Sequence, residues 1–246
     1  MILFVFEGLK AEPTVFGSLE KLFLSGEEVR MVKCSHDLPT LYKRLKSNDF
    51  DLFRSLPLTE NGIDVPDGIR LDTMFSQIFL FFDYDFQNRI GLENVNTILE
   101  EMLGFFDNET DNGKLYVNYP MIESLKYTKT LPDANYWKYT VTRQTCVDHK
   151  FKGEAETFAY TEAKGYKFID LSKTNESEVR NNWNMLKAQN VCKANYIVSG
   201  ENVLPEDKDT VSQDAIFKAQ KEKYVFANDE VAILNSFPIF IHDYLK

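Results

Sequence analysis

The chain has 246 residues, a formal net charge of −10, and 43% apolar and 14% aromatic residues. That composition supports a sizeable buried core and excludes a largely disordered chain. The acidic balance also excludes broad, sequence-blind attraction to nucleic acid, which needs concentrated Lys and Arg.

Ile2 to Phe6 is a continuous apolar run that reaches an acid at Glu7 and a turn at Gly8. It reads as a strand buried on both faces rather than a signal peptide, because no basic segment precedes it. Pro13 suits the first turn of a helix carrying Val15, Phe16, Leu19, Leu22 and Phe23 at helical spacing. Val29 to Val32 follows as a second strand, with a helical stripe at Leu38, Leu41, Tyr42 and Leu45 behind it. The stretch from Pro57 to Gly68 reads as a loop. Ile78 to Phe82 is another buried strand and runs directly into Asp83-Tyr84-Asp85, and Val95, Ile98, Leu99, Met102 and Leu103 then mark an amphipathic helix. A polar turn at 107–113, a short strand at 114–117 and a helix start after Pro120 complete this part.

Alternating strands and helices predict an α/β fold with a mostly parallel sheet flanked by helices. Beyond residue 130 helical periodicity dominates, with Val179, Trp183, Leu186 and Val191 opened by Asn175 and Glu178 in capping-box spacing, and a further helix over 212–226. Two regions are therefore expected, a catalytic α/β domain over 1–130 and a mainly helical region over 131–246.

Three cysteines, Cys34, Cys146 and Cys192, lack CxxC spacing, so neither a zinc site nor a disulfide framework is indicated and a reduced, cytoplasmic setting is expected. The apolar runs are far too short for a membrane span, so no membrane partner is expected. His36, His149 and His242 are scattered, and no Ser or Cys occupies a nucleophile motif, which leaves carboxylates as the main chemical resource.

In an open parallel sheet, functional groups gather at the carboxyl edge of the strands. Glu7 ends one strand and Asp83 another, and Asp85 points to the same side as Asp83 if the strand persists. Three carboxylates so placed would surround one hard cation, Mg²⁺ or Mn²⁺, which could polarise a phosphodiester and activate water. Acids after strands also serve as helix caps and solvated turn residues, and that reading stays open.

At these residues the chain resembles a known family. Phe6-Glu7-Gly8 after the first strand, with Asp83-Tyr84-Asp85 after a later one, resembles the Toprim catalytic domain of topoisomerases, primases and several nucleases. The opening Glu7-Gly8-Leu9-Lys10-Ala11-Glu12-Pro13-Thr14-Val15-Phe16 is similar to that of RloB-like proteins, a Toprim-related group associated with phage defence alongside OLD-type nucleases. Ala11 departs from the usual Thr and Phe16 from the usual Tyr. Asn118-Tyr119-Pro120-Met121-Ile122-Glu123 resembles the Asn-x-Pro-x-x-Glu segment of that group. The resemblance covers residues 1 to 130 and implies a Toprim-like, Rossmannoid fold and a metal-dependent endonuclease acting on RNA, tRNA included, or DNA. It further implies a toxic defence effector with a partner ATPase.

Carried over, the resemblance makes Glu7 the general acid or base and Asp83 and Asp85 the metal holders, with Glu12 and Glu123 as supporting acids. Glu12 is equally a first-turn residue favoured by the helix dipole, and Glu123 equally a surface acid. Lys10 is a candidate phosphate contact or a solvated turn residue. The alternative is a non-catalytic Toprim-like subunit that binds a partner ATPase or nucleic acid.

One further segment stands out on an acidic chain. Lys126, Lys129, Lys138, Arg143, Lys150 and Lys152 are interleaved with Tyr127, Tyr136, Trp137, Tyr139 and Phe151, against only Asp133 and Asp148. Cations beside aromatics suit a single-stranded or distorted nucleic acid, with Lys126, Lys129, Lys138 and Arg143 as candidate substrate contacts. Equally, the aromatics would be core and the cations would face water.

Overall fold

Apolar runs with no polar face can be covered only from both sides, and that requirement sets the architecture. The computed structural model describes residues 1–66, 71–158 and 160–245. In chain order the main elements are β1 (Ile2–Phe6), α1 (Ala11–Phe23), β2 (Val29–Lys33), α2 (Leu38–Ser47), β3 (Gln77–Asp83), α3 (Leu92–Phe105), β4 (Asp107–Asn108) and β5 (Gly113–Asn118). After these come β6 (Thr140–Thr142), α4 (Phe151–Phe158), α5 (Glu176–Ser199), α6 (Gln213–Gln220), β7 (Glu230–Ala232) and α7 (Ser236–Tyr244). The fold is α/β with a mainly helical C-terminal part. The expected loop over 57–68 contains a short helical turn at Thr59–Asn61, and its residues 67 and 68 lie outside the described residues.

The sheet runs β2-β1-β3-β5-β4, parallel except for the two-residue edge strand β4. Phe6 aligns with Phe81 across β1 and β3, and Asp83 with Asn118 across β3 and β5. All the parallel strands therefore end at one edge, where the residues that follow them collect. Helix α2 is capped by Asp37, whose carboxylate accepts from Thr40 N–H at 3.0 Å, with Pro39 in its first turn. Helix α5 is capped as its spacing predicts, Asn175 accepting from Glu178 N–H at 2.9 Å.

Alternate strand residues face opposite sides. On one face Phe4, Phe6, Phe79, Phe81 and Tyr116 meet Phe16 of α1 and Phe237 and Phe240 of α7. The Phe81 and Phe237 rings stack at 4.4 Å and 18°. A helix from the far end of the sequence thus covers the parallel sheet, and residues on both sides of position 130 share one hydrophobic core. Tyr119 also bridges to Leu234 as an antiparallel pair. No helix among the described residues is long and apolar enough to cross a membrane.

Candidate acid centre

Glu7 follows β1 directly, and its Oε2 accepts the backbone N–H of Asp83, the last residue of β3, at 2.9 Å. The two strand ends are thereby tied across the sheet edge by an acid of one and the backbone of the other. Gly8 then turns the chain into α1, and its N–H donates to Glu12 Oε1 at 3.2 Å. A Cβ added at Gly8 would lie 2.5 Å from Glu12 Oε2, so any larger residue there would displace the Glu12 carboxylate. Glu12 is 3% exposed and belongs to the centre rather than to the solvated face of α1.

Asp83 is held from the third strand. Asn118, the last residue of β5 and fully buried, donates its side-chain N–H to Asp83 Oδ1 at 3.0 Å. Its own Oδ1 accepts from Ser236 N–H at 3.0 Å and from Ser236 Oγ at 2.8 Å. Five residues on, Glu123 is 8% exposed on a helical turn, Ile122–Lys126, with Oε2 buried and without a hydrogen-bond partner. Its Oε1 pairs with Lys152 Nζ of α4 at 3.2 Å.

The electrostatics follow from gathering carboxylates out of water. Burial, the charges of Asp85, Glu12 and Asp37, and only partial relief from the Asp83 N–H hold Glu7 well above the ordinary carboxyl range. Burial and the charges of Glu7, Glu12 and Glu123 do the same to Asp83, against the Asn118 hydrogen bond. Burial raises Glu12 as well, Glu123 adding to the effect and Lys152 opposing it. Glu7, Glu12, Asp83 and Glu123 therefore form one group of mutually repelling acids with a deficit of positive charge.

Asp85 does not join Asp83 in that group, contrary to the expectation from strand alternation. Strand β3 ends at Asp83, and Asp85 takes a left-handed backbone, φ 55°, so the period-two rule no longer applies. Burial and Asp37 push Asp85 up to about 7, with hydrogen bonds from Asn88 and the Leu38 backbone opposing. Asp37 in turn accepts from Asn88 Nδ2 at 3.0 Å. Glu7 thus feels both sets of acids, Asp85 and Asp37 as well as Glu12, and acts in turn on Asp83. Cys34, hydrogen-bonded through its N–H to Phe6, is pushed up to about 12 by burial and by Glu7, which keeps the thiol protonated and inert.

Among the described residues, no three His, Cys, Asp or Glu side chains converge as a ready-made metal shell. In donor type and charge the acids nonetheless fit a hard divalent ion: all are oxygen ligands, Lys152 on Glu123 offsets only part of their charge, and the buried oxygens Glu123 Oε2 and Asp85 Oδ2 lack partners.

The basic segment is divided between buried and exposed positions. Lys126 is buried, ion-paired with Glu156 and set 4.8 Å from the Tyr166 ring centre. Lys129 is exposed over Phe158 and Lys138 is exposed beside Trp137. Arg143 is part-buried and donates through Nε to the Phe86 carbonyl at 3.2 Å, next to Asp85. Tyr127, Tyr136 and Phe151 are buried core, Tyr127 stacking on Phe158 at 4.1 Å. Lys10 is exposed at the start of α1.

Four residues were not placed at the centre by sequence reasoning: Asp37, Tyr166 and Ser236, which it did not name, and Lys152, which it put in the basic segment. Asp37 carried a usable signal, since it precedes a Leu-Pro helix start after the second strand, at the same sheet edge as Glu7. The other three reach the centre through contacts that no local pattern encodes. No family model matches the chain, and no curated protein or solved structure gives a significant match to it.

Proposed function

We propose that this chain is a divalent-metal-dependent nuclease that hydrolyses RNA or DNA phosphodiesters at the acid centre. One observation carries the reading: Glu7, Glu12, Asp83 and Glu123, drawn from three separate segments, are gathered at the carboxyl edge of a parallel sheet, where the Lys152 ammonium on Glu123 offsets only part of their charge. Such an arrangement is costly unless a cation neutralises it, and enzymes accept that cost where chemistry requires it.

Asp83, Glu12 and Glu123 would hold the ion, which when bound supplies a Lewis acid for a phosphoryl oxygen and a lowered pKa for water. Glu7 has a different task. Burial, with the Asp85 charge beside it, raises its proton affinity above that of an ordinary carboxyl, which suits the proton handling of a general acid or base. Asn118 and Ser236 orient Asp83. The likeness of the opening motif to RloB-like proteins extends the proposal to a defence effector with a partner ATPase.

Incubation with labelled tRNA, single-stranded DNA and plasmid, each with Mg²⁺ or Mn²⁺, tests the reading beside Glu7→Gln and Asp83→Asn. Metal-dependent cleavage by the wild type that is lost in both variants supports it. Equal cleavage by all three proteins removes the acid centre from the chemistry.

A second reading, a non-catalytic subunit that binds a partner, draws on the hydrogen bonds that Glu7, Glu12 and Asp83 accept from the chain itself. Under it the acids are structural. Absence of cleavage with any of the three polymers, together with partner binding that survives Glu7→Gln, would favour this role.

A further inference from the structure

Tyr166 lies in a segment that packs against both α1, which carries Glu12, and the turn that carries Glu123. Its backbone is left-handed at φ 61°, directly after Gly165 at φ 57°. For a bulky residue that conformation is strained, and it persists only where surrounding contacts enforce it. Here they bury the residue to 8% exposure, with Lys126 Nζ 4.8 Å from its ring centre.

The phenol O–H is buried and has no hydrogen-bond partner. A buried hydroxyl without a partner costs on the order of 1–3 kcal/mol, so its place requires a reason. The acids beside it supply one. Burial and the charges of Glu123, Asp83 and Glu12 hold the phenol firmly in its protonated, donor form. It stands near those carboxylates without bonding to them. Lys152, the partner of Glu123, feels the same three acids. Tyr166 also lines a surface cavity of about 320 Å³, with Ser18, Glu20, Lys21, Asp170 and Ser172 among its neighbours there.

We propose that Tyr166 is a substrate-binding residue whose O–H donates to a non-bridging phosphate oxygen, with Lys152 supplying positive charge to the same group. An anionic oxygen is the acceptor that fits: it satisfies the phenol, it is drawn to Lys152, and an ion held by Asp83, Glu12 and Glu123 would neutralise the remaining charge. This rests on the metal-dependent reading of the acid centre and adds the residues that grip its substrate.

The test uses the full chain, inorganic phosphate as probe and Mg²⁺ at saturating concentration, with binding followed by calorimetry. Tyr166→Phe keeps the ring, its burial and its contact with Lys126, and removes only the O–H. The expected result is a phosphate dissociation constant raised about tenfold or more, with Mg²⁺ affinity unchanged and a phosphate-free Tm higher than that of the wild type, because the unpartnered hydroxyl is gone. Tyr160→Phe, which removes a phenol from the preceding turn, is expected to bind phosphate as the wild type does. Unchanged phosphate affinity in Tyr166→Phe, or a wild type that binds no phosphate, would overturn the assignment. Hydrolysis that still depends on Glu7 alongside either outcome would leave the nuclease reading standing. Normal phosphate binding without any Glu7-dependent hydrolysis would sink the nuclease reading alone.

Discussion

Asn118 donates to Asp83 Oδ1 at 3.0 Å and accepts from Ser236 through both N–H and Oγ. A residue of the N-terminal sheet is thereby set by the first turn of a helix more than a hundred positions away. Replacing Asn118 with Ala removes one acceptor and one donor from a site with no exposure, leaving both Ser236 donors and Asp83 Oδ1 unsatisfied. The expected cost is about 2–4 kcal/mol in urea unfolding. Asn118→Asp should be worse at neutral pH, since it adds a fifth buried carboxyl to the group. A variant as stable as the wild type would show that the contact is incidental.

The acid centre gives the ion-free protein a definite pH profile. The folded state holds Glu7, Asp83 and Asp85 above their ordinary carboxyl values, Asp85 at about 7. Between pH about 4 and 7 the folded chain therefore retains more protons than the unfolded one, and stability falls as pH rises through that window. The slope is on the order of 1 kcal/mol per pH unit for each proton involved. Unfolding midpoints measured in EDTA at pH 5 and pH 8 should differ in that direction, and a flat or rising profile would contradict the charge deficit.

Mg²⁺ or Mn²⁺ should reverse the loss. At pH 8 an ion bound only by the folded state at a hundred times its dissociation constant adds about 2.7 kcal/mol. The corresponding rise in Tm should vanish in a Glu12→Gln, Asp83→Asn double variant, which should also be more stable than the wild type in EDTA. A Tm shift that persists in the double variant would place the ion elsewhere.

Two glycines separate local space from helix propensity. At Gly8 an added Cβ meets the Glu12 carboxylate, the free end of a flexible side chain, whereas at Gly17 nothing lies within 4 Å. Gly8→Ala is expected to leave Tm nearly unchanged while weakening Mg²⁺ binding severalfold by displacing Glu12. Gly17→Ala should stabilise the protein by about 0.5–1 kcal/mol through helix propensity alone. Calorimetric titration of both variants checks the contrast.

Phe237→Ala should cost about 3–5 kcal/mol, because the ring stacks on Phe81 and lies 6.1 Å from Phe6 in the sheet core. A loss below 1 kcal/mol would mean that α7 is an appendage rather than a layer of the fold.

The parallel sheet and the position of Glu7 and Asp83 at its edge were legible because a short, continuous apolar run that stops at an acid is the pattern a strand covered on both faces imposes. The placement of Asp85 was not, since the alternation rule holds only while the strand lasts, and Asp tolerates the left-handed turn that ends it. The role of α7 was hidden for a different reason: Phe237 to Ile241 is apolar throughout and offers no period to distinguish helix from strand. The basic segment divides in a way that composition does not encode: Lys126 is buried on Glu156 and Tyr127, Tyr136 and Phe151 are core, whereas Lys129, Lys138 and Lys150 are exposed and Lys152 reaches Glu123 from the surface.

The hydrogen bonds from Ser236 carry a consequence for how the protein comes into being. A ribosome that has delivered residues 1 to 130 has released every acid of the centre, yet neither Ser236 nor the rings of Phe237 and Phe240 that complete the sheet beneath it. The fixed orientation of Asp83 therefore arrives only when residue 236 has left the exit tunnel. For a chain read as a nuclease, this ordering delays a competent centre until well after the last of its acids, Glu123, has been made.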